Sequence, residues 1–242
     1  MRHVLLFQIY SPLTSWGVIS VGGVRNTQSH PTKSGVLGLV ASALGYTRTM
    51  QDEINELQSK LSFGCRVYGM GSLLRDYHTT QVASGSKMDT STRYNSFKTG
   101  KIKTVLSTRE YIQDEYTVIA LWSENLGLLS KIKQALSTPT FTPYLGRKSC
   151  PPAVPYHAQV IQSDNPLKTL VETIFPMEEE PHLINFRQYQ KKQHLYWEAD
   201  ESFDGFDATS YHTSRDSVLD RSTWRFTNRK EAHRLISFKE ST

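Results

Sequence analysis

The chain has 242 residues, 38% of them hydrophobic, with 28 lysines and arginines against 23 acids and a formal charge of +5. That length supports one large domain or two small ones with real cores, and the modest basic excess permits a nucleic-acid partner without requiring one. Two cysteines, Cys65 and Cys150, form no CxxC and no disulfide framework, and no run approaches the roughly 20 apolar residues of a membrane span, so the reading is a soluble, cytoplasmic protein in a reducing compartment.

The first residues, MRHVLLFQIY, hold too short an apolar stretch for a secretory signal, include Gln8 and lack a small-residue cleavage site. Val4 to Tyr10 reads instead as a buried strand, followed by SPLTSWG (Ser11 to Gly17) as a turn-rich loop. Val36, Leu37, Val40 and Leu44 recur with helical spacing, predicting a helix over 33–44. Gly35, Gly38, Ser42 and Gly45 form a second, small-residue face, and Gly45 suits the C′ position. Leu61, Phe63, Cys65 and Val67 alternate with more polar residues as a second strand, in which Cys65 is a small buried hydrophobe. Residues 84–104 carry Lys87, Arg93, Lys98, Lys101 and Lys103 against Asp89 and have few apolar residues. Such a segment buries no core of its own and is expected to be an exposed loop or hairpin. A solvated loop and a basic, aromatic-bearing arm that orders on nucleic acid both fit it.

Thr117 to Trp122 reads as a third strand. A cap-like Ser123 then precedes a helix with apolar positions Leu126, Leu129, Ile132 and Leu136, ended by Pro139. CPPAVP (Cys150 to Pro155) marks a boundary or rigid connection. Beyond it, Leu183 to Phe186, Leu195 to Trp197 and Leu235 to Phe238 are candidate short strands, MEEEP (Met177 to Pro181) reads as an acidic surface patch, and Thr213 to Arg234 is again basic. Short strands alternating with helices suggest an α+β sandwich of ferredoxin-like type.

The Lys-Ser pair of PTKSG imitates a phosphate loop, but that motif needs glycine directly before the lysine and another five residues earlier. Thr32 and Thr27 stand there, so nucleotide hydrolysis is not expected. Lys33 nevertheless sits where the helix macrodipole disfavours a cation. An anion at that helix start, facing Lys33, Ser34 and the first amides, would account for it; a lysine pointing into solvent is the other reading. The eight histidines make no metal pattern and no nucleophile elbow is present. DYHTT places Tyr77 beside His78, a candidate acid–base pair for RNA cleavage or simply an RNA contact. TPYLGRKSCPP (Thr142 to Pro152) is the most specific local signal. Tyr144 offers a stacking face, Gly146 permits close backbone approach, and Arg147, Lys148 and Ser149 suit a nucleic-acid backbone.

The pieces SPLTSWG, RNTQSHPTKSGVLGLVASALG, DYHTT and YLGRKSCPP, in this order and spacing, resemble the Cas-five-type subunits of the Cascade surveillance complex of type I-E CRISPR systems. The resemblance covers about the first 155 residues and is thinner beyond them, where YHTSRDSV and WRF are similar. It implies a repeat-associated RNA-binding protein with a ferredoxin-like (RRM-like) domain over 1–150. A β-hairpin thumb at about 80–105 and a small, mainly β C-terminal domain over 151–242 complete the implied architecture. The implied role is non-catalytic: holding the 5′ handle of the CRISPR RNA at one end of the complex. Partners would be that RNA, the repeated backbone subunit, the large subunit and target DNA near the guide junction, with no membrane, cofactor or metal. Stacking contacts are expected from Trp16, Tyr94 and Tyr144. Phosphate or polar contacts are expected from Arg25, Lys33, Ser34, His78, Arg93, Lys101, Lys103, Arg109, Arg147, Lys148 and Ser149, with Gly146 giving the RNA backbone room. An endoribonuclease that processes precursor CRISPR RNA through Tyr77, His78 or a lysine is the alternative.

Overall fold

The computed structural model describes residues 2–20, 22–68, 71–179, 192–220, 223 and 225–237. Its elements in chain order are β1 (His3–Thr14), β2 (Trp16–Gly17), β3 (Val24–Arg25), β4 (Thr27–Gln28), α1 (Lys33–Ala43), α2 (Gln51–Lys60), β5 (Ser62–Val67) and β6 (Ser72–Ser84). There follow α3 (Arg93–Thr99), β7 (Lys101–Ser123), α4 (Leu126–Ser137), β8 (Gln159–Gln162), α5 (Pro166–Glu172), α6 (Pro176–Glu179), β9 (Gln193–Glu198), β10 (Ser210–Asp220) and β11 (Arg225–Ile236).

Among the described residues one nine-stranded, largely antiparallel sheet runs in the order β10-β11-β9-β5-β7-β1-β8, with β3 and β6 each paired to β7. Its centre is apolar on both faces because side chains alternate across each strand. Leu5, Phe7 and Ile9 of β1 pack with Phe63, Cys65, Ile119 and Leu121 beneath α1, α2 and α4. Val4 and Leu6 point the other way, to Val118, Ala120, Trp122 and Trp197 beneath Leu167 and Leu170 of α5. Such double burial makes these strands read as unbroken apolar runs. Cys65 lies in the first core with no exposed surface, and burial pushes its thiol pKa well up, as expected of an inert packing residue.

The first strand, both core helices, the strand at 61–68 and the one at 117–122 stand where the sequence places them. Several boundaries differ. SPLT is strand rather than loop: Ser11, Leu13 and Thr14 continue the ladder onto Glu115, Gln113 and Ile112. The strand at 117–122 is the buried end of a 23-residue β7. α4 is capped by Asn125, whose side chain accepts from the Leu128 amide at 2.9 Å, and not by Ser123. α2 escaped the sequence reading because only Ile54 and Leu57 are buried in an otherwise polar decapeptide. MEEEP is not all surface: Met177 is buried, and Glu178 Oε1 lies 3.2 Å from Nη2 of the fully buried Arg66. Leu195 to Trp197 falls inside β9, Leu235 inside β11, and Leu183 to Phe186 lies outside the described residues.

The basic insertion is a two-stranded ribbon. β6 and β7 pair without a register break from Ser72↔Gln113 to Ser84↔Lys101, a reach of roughly 40 Å at about 3.3 Å per residue. α3 sits at its tip, capped by Thr92 and with no buried residue. At the other end of the sheet, β8 pairs with β1 and β9 with β5, so the ladder carries on past Pro151. Among the described residues no helix is long and apolar enough to cross a membrane.

Candidate nucleic-acid interface

The loop after α4 is pressed onto the end of β1. Leu145, fully buried, anchors it: its carbonyl accepts from the Ser15 amide at 3.2 Å and its amide donates to the Cys150 carbonyl at 2.8 Å. Gly146 adopts φ +85°, and a Cβ there would stand 1.7 Å from the Ser15 carbonyl oxygen. Arg147 is held by the fold. Its guanidinium donates to the Glu110 and Arg25 carbonyls, both at 3.0 Å, and lies over the Tyr111 ring. Lys148 and Ser149 are exposed.

Facing this loop is the small-residue side of α1. Thr32 caps the helix by accepting from the Gly35 amide at 3.2 Å. Gly35 lets the Trp16 ring come so close that a Cβ would meet it at 3.1 Å. Between α1, the loop and the β10–β11 hairpin opens a cleft of about 620 Å³, whose walls include Ser34, Gly38, Tyr144, Arg215 and Arg225. Among the described residues two arginines and no carboxylate line it, so its field favours an anion.

The anion that Lys33 called for is inside the protein. The Lys33 amide donates to Asp216 Oδ2 at 2.7 Å, and its ammonium sits 2.8 Å from Glu198 Oε1 with both side chains 10% exposed. Arg229 binds Asp216 through two nitrogens, at 2.9 and 3.0 Å, and Glu231 at 2.7 Å. His30 Nε2 is 2.7 Å from the other Glu231 oxygen. Burial raises the Glu231 carboxyl, but His30 and Arg229 outweigh it and hold its pKa below the ordinary value. At Glu198 burial prevails over Lys33 and the pKa is raised. This network ties the start of α1 to β9, β10 and β11. It corrects the expectation of a lysine facing an RNA phosphate. Trp16, 1% exposed, is likewise part of the core and not a stacking platform.

Glu115 is buried beside Trp16. Its Oε2 accepts from Trp16 Nε1 at 2.7 Å and from the Thr14 hydroxyl, while Oε1 is buried without a hydrogen bond. Burial pushes its pKa up to about 7, against the hydrogen bonds from Thr14 and Trp16 that lower it. A carboxyl whose pKa is raised on folding stabilises the native state most at low pH. That contribution fades as pH rises from the usual value of 4.5 through about 7. Glu115→Gln should remove this slope, so its melting temperature relative to wild type should climb between pH 5 and 8. A pH-independent difference would refute the assignment.

The remaining sequence-predicted residues fall in three places. Arg25 and Arg109 are register partners on β3 and β7 and, with Arg147, gather cations at the thumb base. Arg93, Tyr94, Lys101 and Lys103 are exposed at the tip, where Lys98 Nζ lies 5.9 Å from the Tyr94 ring centre. His78 is on the thumb stem with Nε2 2.5 Å from Asp76 Oδ2. Its neighbour Tyr77, 64% exposed, projects from the opposite face of β6 because successive strand residues alternate. The pair therefore does not converge on one point. Arg215 and Arg225 were not singled out; the only signal was the basic run around them.

The family described as CRISPR-associated protein (Cas_Cas5) matches residues 4–234. Over 181 residues the chain is 32% identical to the CRISPR system Cascade subunit CasD of Escherichia coli (strain K12), covering 71% of this chain and 77% of that protein. A chain of a CRISPR RNA-guided surveillance complex has the same fold, with a TM-score of 0.70 at 22% identity over 98% of this chain and 92% of the other. A second structure, described as a Cas protein, superposes with a TM-score of 0.60 at 25% identity over 97% and 95%. A match over nearly the whole chain and a relative this similar make the protein a member of the CRISPR-associated Cas5 family.

Proposed function

We propose that this protein is a non-catalytic RNA-binding subunit of a Cascade surveillance complex that holds the 5′ handle of the CRISPR RNA. The observation that carries the proposal is the cleft between α1 and the Tyr144–Ser149 loop, lined by Arg215 and Arg225 and, among the described residues, by no acid. A single strand of RNA needs cations for its phosphates and room for its backbone; the small-residue face of α1 supplies the room. The E. coli relative's name as a Cascade subunit supports the RNA, the backbone subunit and the large subunit as partners. The order β8-β1-β7-β5 with α1 and α4 on one face supports a ferredoxin-like reading of the N-terminal part. We take 1–150 as the RNA-binding part, with its thumb reaching the backbone subunit and target DNA near the guide junction. Residues 151–242 form a C-terminal part that closes the cleft through β10 and β11. The divergence of Tyr77 and His78 favours binding over RNA cleavage.

Arg215→Ala together with Arg225→Ala should weaken binding of handle RNA. The slope of log affinity against log salt should shrink by about 1.4, at about 0.7 per lost contact on a single strand. Unchanged affinity and slope in a folded double variant would remove the cleft from the RNA path. Site-specific cutting of repeat RNA in EDTA, lost in His78→Ala, would reinstate the endoribonuclease.

A further inference from the structure

We propose that the surface behind Tyr144 is a second nucleotide compartment, so that the bound strand crosses Tyr144 with one base on each side. The inference rests on the RNA-binding reading above. The compartment measures about 700 Å³ and shares Gly38, Ser42 and Tyr144 with the first cleft, while Tyr46, Arg48, Phe141 and Lys148 are its own walls. Both volumes lie within the roughly 300–1,000 Å³ of ligand pockets. α1 contributes the same glycine and serine, Gly38 and Ser42, to both spaces.

The chemistry of the second space is that of unpaired nucleotides. Phe141 and Tyr144 are 45% and 40% exposed, so two ring faces are open to stacking, which tolerates any base. Arg48 and Lys148 line the space, with no carboxylate among the described residues that line it. Lys131 adds a third cation at the rim, its ammonium 3.1 Å from the Tyr46 hydroxyl. The walls are set before binding. The Thr140 and Phe141 amides donate to the Ala43 and Ser42 carbonyls at 3.0 and 3.4 Å, and Gly45 at φ +80° lets Thr140 pack where a Cβ would stand 3.0 Å away. A prepared site loses less affinity to ordering.

The test is binding of a labelled, unstructured, repeat-derived single-stranded RNA to the purified full-length chain, read by fluorescence anisotropy. Phe141→Ala should weaken affinity roughly 5- to 150-fold, the range for losing one stacked base, and Phe141→Trp should restore it. Lys148→Ala should lower the salt slope. Phe141 and Lys148 are exposed, so a thermal melt should show both variants folded. Unchanged affinity in Phe141→Ala, with affinity lost when Arg215 and Arg225 are replaced, would overturn the second compartment and leave the RNA-binding reading standing. No binding by the wild type, or no effect of either set, would overturn both. Loss of assembly with protein subunits at unchanged RNA affinity would assign the space to a protein and also overturn the proposal.

Discussion

Arg229→Leu is expected to cost about 3–5 kcal/mol of stability, the range for removing one partner of a buried ion pair. The arginine is 8% exposed and binds both Asp216, 3% exposed, and Glu231, 2% exposed. Leucine fills part of the volume but leaves two carboxylates in a site closed to water. Each then keeps only a weaker partner: the Lys33 backbone amide for Asp216 and His30 for Glu231. Domains commonly have only 5–15 kcal/mol in total, so the variant should lose a large share of its native population. Lys60→Ala is the contrast. Its pair with Glu56 is half exposed on α2, where water screens it and little stability is lost with it. Denaturant unfolding of both variants measures the difference. A loss under about 1 kcal/mol for Arg229→Leu would show that water reaches the network. The consequence for function is geometric. The same charges clamp α1 to the β10–β11 hairpin, and these elements are opposite walls of the first cleft. RNA affinity should therefore fall with stability, although Arg229 is not among the cleft-lining residues.

The elements legible in the sequence were those whose signal is local. Val4 to Tyr10 and Thr117 to Trp122 are buried on both faces, and the α1 stripe of Val36, Leu37 and Val40 lies against the core. What escaped depends on partners far along the chain. Ser11 to Thr14 looks like a turn by composition, yet β7 offers it a ladder. Asp216, Glu231 and Arg229 look like surface charges until the hairpin brings them beneath α1. The site divided the same way. Gly146, Tyr144, Lys148 and Ser149 drew notice because that chemistry is gathered in the eleven residues Thr142 to Pro152. For Lys33 an anion was one of two readings, a side chain in solvent the other, and sequence cannot tell a carboxylate 183 positions away from a phosphate in solution. Arg147 shows the same limit: its charge was plain, and its engagement with two backbone carbonyls and Tyr111 was not.

Gly146→Ala is expected to destabilise by about 3 kcal/mol or more and to abolish RNA retention. Two costs add. A non-glycine residue in the left-handed region loses roughly 1–2 kcal/mol, and here the new Cβ would also lie 1.7 Å from the Ser15 carbonyl oxygen. No rotamer relieves that overlap, because both atoms are fixed to backbone, so the loop must lift from β1. Lifting it breaks the Ser15–Leu145 hydrogen bond and moves Tyr144 and Lys148, which belong to the cleft and to the space behind it. Gly205 separates the two costs. It has nearly the same conformation, φ +80°, with nothing within 4 Å of its would-be Cβ. Gly205→Ala should therefore lose only the conformational 1–2 kcal/mol and keep RNA binding intact. Gly146→Asn sharpens the comparison, since asparagine tolerates the left-handed region yet still carries a Cβ. If it rescues the loop, the backbone angle was the constraint. If it fails as alanine does, the fixed contact with Ser15 is the reason a glycine stands between Tyr144 and the two cations.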